Sequence, residues 1–218
     1  MNIYWFGQAS YLIKTANGKR LLIDPFGEGL GYTPFKGSVD LVTISHDHFD
    51  HNFTGFIENN PAIINTSGKH MVDFGEIIGI KSFHDKTNGS ERGNNIIFKY
   101  IIDGITLCHL GDLGHNLDDK TIDELRNVDI LFVPVGEVYT LDVKSAINVI
   151  KKINPKYIVP MHYKTKYLNI PLEGVDKFLM EMKEYPTENV SILSVDKDKL
   201  SNSPKVILID VYHNEDSK

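Results

Sequence analysis

Directly after a short apolar run, Asp40 to Ser45 (DLVTIS), the chain reads Ser45-His46-Asp47-His48-Phe49-Asp50-His51. This HxHxDH pattern is the signature of a metal-ligand cluster, and it constrains the fold more than any other stretch. In an extended segment residues two apart point the same way, so His46 and His48 converge on one ion, while the turn that follows presents Asp50 and His51 to a neighbouring position. A divalent ion needs about four donors, so two adjacent ions require further ligands from distant parts of the chain.

Three candidates supply them. His84 lies in the polar stretch Phe83-His84-Asp85, which runs on through Gly89 and is expected to be a flexible loop. Asp112 follows Gly111 at the end of the apolar run Ile105 to Leu110, and its two oxygens can bridge two cations. His162 follows Pro160-Met161 at the end of another apolar run. Each comes just beyond a predicted strand, where loops on a rigid sheet gather functional side chains. Taken singly, the two histidines fit surface or turn positions as well, and Asp112 fits a turn aspartate.

The rest of the chain alternates strands, turns and helices. Asn2 to Gly7, Ala9 to Thr15 and Arg20 to Pro25 read as strands, with Asn17-Gly18 as a hairpin turn; Phe26 to Val39, rich in glycine, reads as a loop over a pocket. Ala62 to Asn65, Gly75 to Ser82, Asn95 to Ile102 and Asp129 to Pro134 are further strands, Asp103-Gly104 is a second hairpin signal, and Lys120 to Asn127 is a helix. Later, Asp142 to Ile153 and the region from Leu172 to Met182 carry apolar residues at helical steps, and Tyr157 to Pro160, Val190 to Ser194 and Lys205 to Val211 are strands before a charged, fraying tail. Hairpins followed by helix–strand alternation predict two sheets with helices packed outside, in one domain spanning 1–218.

Composition narrows the function classes. Lys+Arg 23 against Asp+Glu 29 gives a net charge of −6, so nucleic-acid binding through a basic face is not expected. Cys108 is the only cysteine, which excludes an internal disulfide and a thiolate zinc cluster and fits a reduced compartment. No basic leader precedes an apolar stretch in Met1 to Lys14, and no run of about 18 apolar residues occurs, so no membrane span and a cytoplasmic location are expected.

The motifs, in their order, resemble those of the metallo-β-lactamase superfamily, and particularly its branch of small proteins similar to ascorbate-6-phosphate lactonase and the phospholipase D that cleaves N-acylphosphatidylethanolamine. The opening YWFGQASYLIKTANGKRLLIDPF resembles the first strands of that branch, whose aspartate at Asp24 is structural. SHDHFDH, FHDKTNG, HLGDLGH and VPMHYKT are similar to its main metal motif, third-histidine loop, bridging-aspartate motif and last-histidine motif. The resemblance implies an α+β fold, a four-layered αββα sandwich. It also implies His46, His48 and His84 on a first metal, Asp50, His51 and His162 on a second, and Asp112 between them. Gln8 stands where many relatives carry histidine.

What the resemblance implies chemically is hydrolysis: two divalent ions, zinc with manganese or iron as alternatives, a bridging hydroxide attacking a phosphodiester or a lactone or ester bond, and Asp50 orienting that nucleophile and taking its proton. A small anionic substrate is expected. Iron-dependent redox chemistry on the same ligands and a non-catalytic metal-binding module are the alternatives.

Among the remaining residues, Cys108 reads as a buried hydrophobe, His70 and His213 as solvated, His115 as a residue facing the pocket, and Tyr139 and Tyr163 as packing or substrate contacts. His109 competes with His84 for the first site. Counting back by twos from Asp112 places His109 on the opposite face of the strand, provided the strand stays regular to Asp112.

Overall fold

Period-two alternation builds the smaller sheet. In β1 (Asn2–Gly7), β2 (Ser10–Lys14), β3 (Arg20–Ile23) and β4 (Leu41–Thr43) one set of side chains, including Ile3, Trp5, Tyr11 and Ile23, joins the main core. The other set, Phe6, Leu12, Leu22 and Val42, joins a second apolar layer on the outside. β5 (Ala62–Ile64) extends the sheet beside β4, and β13 (Leu193–Ser194) closes its other edge, giving the order β13-β1-β2-β3-β4-β5. These positions come from a computed structural model that describes residues 1–213; the predicted fraying tail lies outside them.

The larger sheet has the order β12-β14-β11-β10-β9-β8-β7-β6. One half consists of antiparallel hairpins, β6 (Gly68–Val72), β7 (Gly75–Phe83), β8 (Asn94–Ile102) and β9 (Ile105–His109), with Asp103 and Gly104 both at positive φ in the tight turn between the last two. The other half is parallel: β10 (Ile130–Pro134), β11 (Tyr157–Met161), β14 (Lys205–Ile209) and β12 (Thr187–Val190). β10 and β11 are buried throughout and accordingly read as unbroken apolar runs.

Helices α1 (Asp119–Leu125) and α2 (Val143–Ile153) start at aspartates, Asp118 and Asp142, whose side chains accept from Thr121 N (2.7 Å) and Ser145 N (2.8 Å). α2 buries Ala146, Val149, Ile150 and Ile153 and ends at Asn154 in the left-handed region. Together with α3 (Asp176–Glu181) they complete the α+β sandwich. Among the described residues no helix is long and apolar enough to cross a membrane.

Four details differ from the sequence expectation. β6 carries no apolar alternation, since it is a largely exposed edge strand. The apolar repeat from Leu172 to Met182 yields only the six residues of α3, because Leu172 packs into the outer layer instead. The run Val190 to Ser194 divides, its start pairing in the larger sheet as β12 and its end in the smaller one as β13. The glycine-rich loop, finally, lays Phe26, Leu30, Tyr32 and Phe35 against the smaller sheet as much of its outer layer.

Candidate metal centre

Four strand ends meet at one rim of the sandwich. The segment His46–His51 leaves β4 of the smaller sheet, while His84 follows β7, Asp112 follows β9, and His162 follows β11 in the larger one. All seven side chains singled out from the sequence gather there, and all except the half-buried His48 are buried.

Asp112 lies at the centre. Its Oδ2 is 3.1 Å from His84 Nε2, 3.1 Å from His162 Nε2, 3.4 Å from His51 Nε2 and 3.9 Å from His46 Nε2. On one side His46, His48 and His84 offer donor atoms within 4.8 Å of one another, and on the other Asp50, His51 and His162 do the same. A third overlapping group is Asp24, His46 and His51. This donor set suits a divalent cation: His46 Nε2, His51 Nε2 and Asp112 Oδ1 are buried polar atoms without a hydrogen-bond partner, an arrangement that costs stability unless something accepts their lone pairs.

The surrounding residues aim these groups. Asp24, fully buried and at φ 43°, accepts from Ser45 N (2.7 Å), Ser45 Oγ (2.5 Å) and His51 Nδ1 (3.0 Å), and Ser45 Oγ also lies 2.9 Å from His46 Nδ1. Both rings thereby turn Nε2 toward Asp112. Asn95 donates to Leu110 O (2.9 Å) and accepts from Asp112 N (3.0 Å), which fixes the turn carrying that aspartate. Gly136 packs so tightly under the turn after β11 that a Cβ there would lie 2.1 Å from the His162 carbonyl oxygen. Gln8, also in the left-handed region at φ 52°, donates its amide to Asp50 Oδ2 at 2.9 Å.

Electrostatics follow from this crowding. Burial acts to raise the Asp112 carboxyl, but His162 and His51 outweigh it and hold the group well below the usual carboxylate range. Burial likewise opposes charge on His51, yet Asp112 and Asp50 beside it raise this imidazole well above its ordinary value. His46 has no such compensation: burial, aided by His51, lowers it to about 3.

Three sequence expectations need correction. His84 is no swinging loop residue; β7 runs on to Phe83, His84 is buried, and its N–H donates to Gly93 O at 3.1 Å. His109 is kept from the cluster for a reason other than strand parity. β9 ends at His109 and Gly111 turns to φ 57°, so the count by twos does not reach Asp112. What holds the ring is backbone on both sides, with Nε2 2.9 Å from Ala9 O and Nδ1 accepting from Gly111 N at 3.1 Å. His115 does not face the cluster through a free nitrogen either, because Nε2 accepts from Phe83 N (3.1 Å) and Nδ1 lies 2.8 Å from Asn116 O. Cys108 is buried, which pushes its thiol up. Tyr163 packs against Trp5, with ring centroids 5.2 Å apart.

The sandwich with a histidine–aspartate cluster at its strand ends defines a metallohydrolase class. Residues 2–162 match the beta-lactamase superfamily domain, and the chain belongs to that superfamily. A relative from Bacillus mycoides named as a UPF0173 metal-dependent hydrolase is 32% identical, the match covering 76% of this chain and 86% of the relative. A structure from Thermotoga maritima, titled as a Zn-dependent hydrolase of the metallo-beta-lactamase superfamily, is 35% identical with a TM-score of 0.79, covering 95% of this chain and 97% of that one. An isothiocyanate hydrolase from Delia radicum gut bacteria shares the fold at 15% identity, with a TM-score of 0.67 and 98% of each chain covered. The protein is thus a metal-dependent hydrolase of this superfamily with a cluster able to bind metal.

Proposed function

We propose that the protein hydrolyses a phosphodiester or a lactone or ester bond with two divalent cations, zinc foremost and manganese or iron as alternatives. His46, His48 and His84 would hold one, Asp50, His51 and His162 the other, and Asp112 would lie between them. The observation that carries this reading is the convergence of four imidazole Nε2 atoms, from both sheets, on the single oxygen Asp112 Oδ2. Similarity of the motifs to the lactonase and phospholipase branch supports the choice of bond.

Two such cations supply Lewis acidity: they bring the ionisation of water toward neutral pH and stabilise negative charge on the oxygens of the bond under attack. The chain supplies orientation and proton handling. Asp50, a carboxylate at neutral pH, can accept a hydrogen bond from the attacking water and take its proton. The Gln8 amide at 2.9 Å keeps that carboxylate from rotating. Buried Asp24 and Ser45 hold the imidazoles in one tautomer, so the site needs little rearrangement when substrate arrives.

Elemental analysis of protein purified without chelators, followed by a screen of phosphodiesters and lactones, tests the proposal. Close to two ions per chain and turnover in one substrate class are expected, because seven donors exceed what one tetrahedral ion uses. Absence of bound transition metal after reconstitution with zinc, manganese or iron overturns it.

A further inference from the structure

The loop joining β7 to β8 carries a built feature that hydrolysis of a bond does not by itself require. The buried carboxylate of Asp85 gathers the N–H groups of Thr87 (2.8 Å), Gly89 (2.8 Å), Glu91 (3.0 Å) and Arg92 (2.8 Å), together with the Thr87 hydroxyl (2.9 Å). The loop is consequently a rigid turn set beside His84, and it fixes the backbone of Arg92.

The Arg92 side chain is placed with equal care. Its guanidinium lies over the Tyr139 ring, 5.2 Å from the centroid, and among the described residues it makes no ion pair. Arg92 lines two hollows. One, of about 520 Å³, reaches His84, contains the Tyr139 ring and sets five carboxylates against Lys86 and Arg92, so it is acidic on balance. The other, a groove of about 1010 Å³, begins at His46 and His48 and is lined by Lys81 as well as Arg92, with Asp47 its only carboxylate. Lys81 likewise makes no ion pair among the described residues. Lys81 and Arg92 both line this groove, a local reversal of sign in a chain of net charge −6. Stacking on an aromatic ring fixes the guanidinium plane and leaves its edge N–H groups for a planar oxyanion, which is the geometry of bidentate recognition.

We infer that the substrate carries an oxyanion, carboxylate or phosphate, separate from the bond that is cleaved, and that Arg92, assisted by Lys81, binds it in the groove beside His46 and His48. This rests on the hydrolase reading for the word substrate, but the anion site itself does not depend on metal. It makes Arg92 a specificity residue, and it selects molecules long enough to span from the cluster to the loop.

Two measurements test it. Metal-free protein is titrated calorimetrically with inorganic phosphate and, separately, with glutarate. Binding of at least one, with Kd on the order of 1 mM, is expected, and Arg92→Gln should weaken it about tenfold or more while Arg92→Lys, which keeps the charge, restores part of it. The tighter of the two probes identifies the oxyanion as phosphate or carboxylate. Binding of neither probe by the parent protein, or binding unchanged in Arg92→Gln and so located at the histidines, overturns the inference.

Metal-loaded protein is then assayed with mono-4-nitrophenyl glutarate and with 4-nitrophenyl pentanoate, which has the same chain length and no carboxylate. The ratio of kcat/KM for the charged over the neutral ester should fall about tenfold in Arg92→Gln, through KM. An equal loss on both esters assigns Arg92 a merely structural part and also overturns it. Arg126→Gln, at an exposed arginine paired with Asp123, serves as the control that leaves the ratio unchanged. If neither ester is turned over, the choice of bond is at fault, and calorimetry alone decides on the anion site.

Discussion

Replacing Asp24 by asparagine alters one buried carboxylate with almost no change of shape, and the consequences can be followed atom by atom. The carboxylate has no hydrogen to give, so the Ser45 hydroxyl and His51 Nδ1 must both donate to it. The Ser45 oxygen, having turned its hydrogen inward, then accepts from His46 Nδ1 at 2.9 Å. One acidic side chain thereby decides the tautomer of two imidazoles, one in each half of the cluster, and leaves both Nε2 lone pairs free. Ser45 Oγ and His51 Nδ1 share Oδ2 while Ser45 N donates to Oδ1, so asparagine must set its amide nitrogen either against the Ser45 N–H, which then loses its acceptor, or at the shared position, where it donates to Ser45 Oγ and His51 Nδ1 and drives the rings to carry protons on Nε2. In the first placement both donors keep a neutral, weaker acceptor. Hydrogen bonds to a buried charged acceptor contribute about 1.5–3 kcal/mol, and a group that orients a metal-binding histidine is worth about 10–100-fold in affinity. The expected result is a loss of about 2–3 kcal/mol in the stability of metal-free protein, read by urea denaturation in chelator, on the scale of those bonds. Zinc affinity, read by competition against a chromophoric chelator, should fall by about 10–100-fold, or about 1.4–2.8 kcal/mol. An Asp24→Asn protein that binds zinc as tightly as its parent would refute the argument that this carboxylate supports the metal through the two rings, whatever its stability.

Three other outcomes follow from the same geometry. If two cations bind as proposed, Asp112→Ala should weaken both positions by about 100-fold, while His162→Ala mainly weakens one, as calorimetric metal titration would reveal; matching isotherms for the two variants would remove Asp112 from the proposed bridge. Gly136→Ala should destabilise the protein by about 1–3 kcal/mol and lower metal affinity at the His162 side, because its Cβ would press on the His162 carbonyl from 2.1 Å; an unshifted thermal midpoint would contradict this. Asp129, whose carboxylate meets Lys156 (2.8 Å), Thr106 N (2.9 Å) and Lys197 (3.0 Å), is held below its ordinary value by these donors against the effect of burial. Its contribution, about 1–2 kcal/mol with two half-exposed lysines, is present above the unfolded carboxylate value near 3.9 and lost as pH falls through the folded one; Asp129→Asn should therefore cost that amount at pH 7 and progressively less as pH falls below the unfolded value in denaturation curves.

The parts of this molecule that were legible in its sequence share a physical cause. β10 and β11 announce themselves as apolar runs because both faces are covered, α2 because one face is, and the strand ends announce themselves through histidines and aspartates that no apolar strand would otherwise carry. The residues that went unseen have ordinary side chains whose importance comes from long-range contact. Ser45 and Asn95 look like any polar strand residues, yet each touches a group far along the chain. The β6 edge left no pattern since exposure removes the need for one, and Val190 to Ser194 looked continuous because local periodicity does not record a change of sheet. His109 shows the limit of parity arguments, as a single left-handed glycine erases the register on which they depend.

The cluster is anchored in both sheets, His46 to His51 following a strand of the smaller and His84, Asp112 and His162 following strands of the larger. A cation held among them acts as a rivet through the sandwich. Separation of the layers during unfolding must then break coordination bonds as well as apolar contact, so the metal slows opening and adds to apparent stability by mass action, about 4 kcal/mol when free metal exceeds its dissociation constant a thousandfold. Chelation should accordingly expose the inner faces of both layers to protease before any helix melts, and the abundance of the protein in a cell would track the supply of its metal.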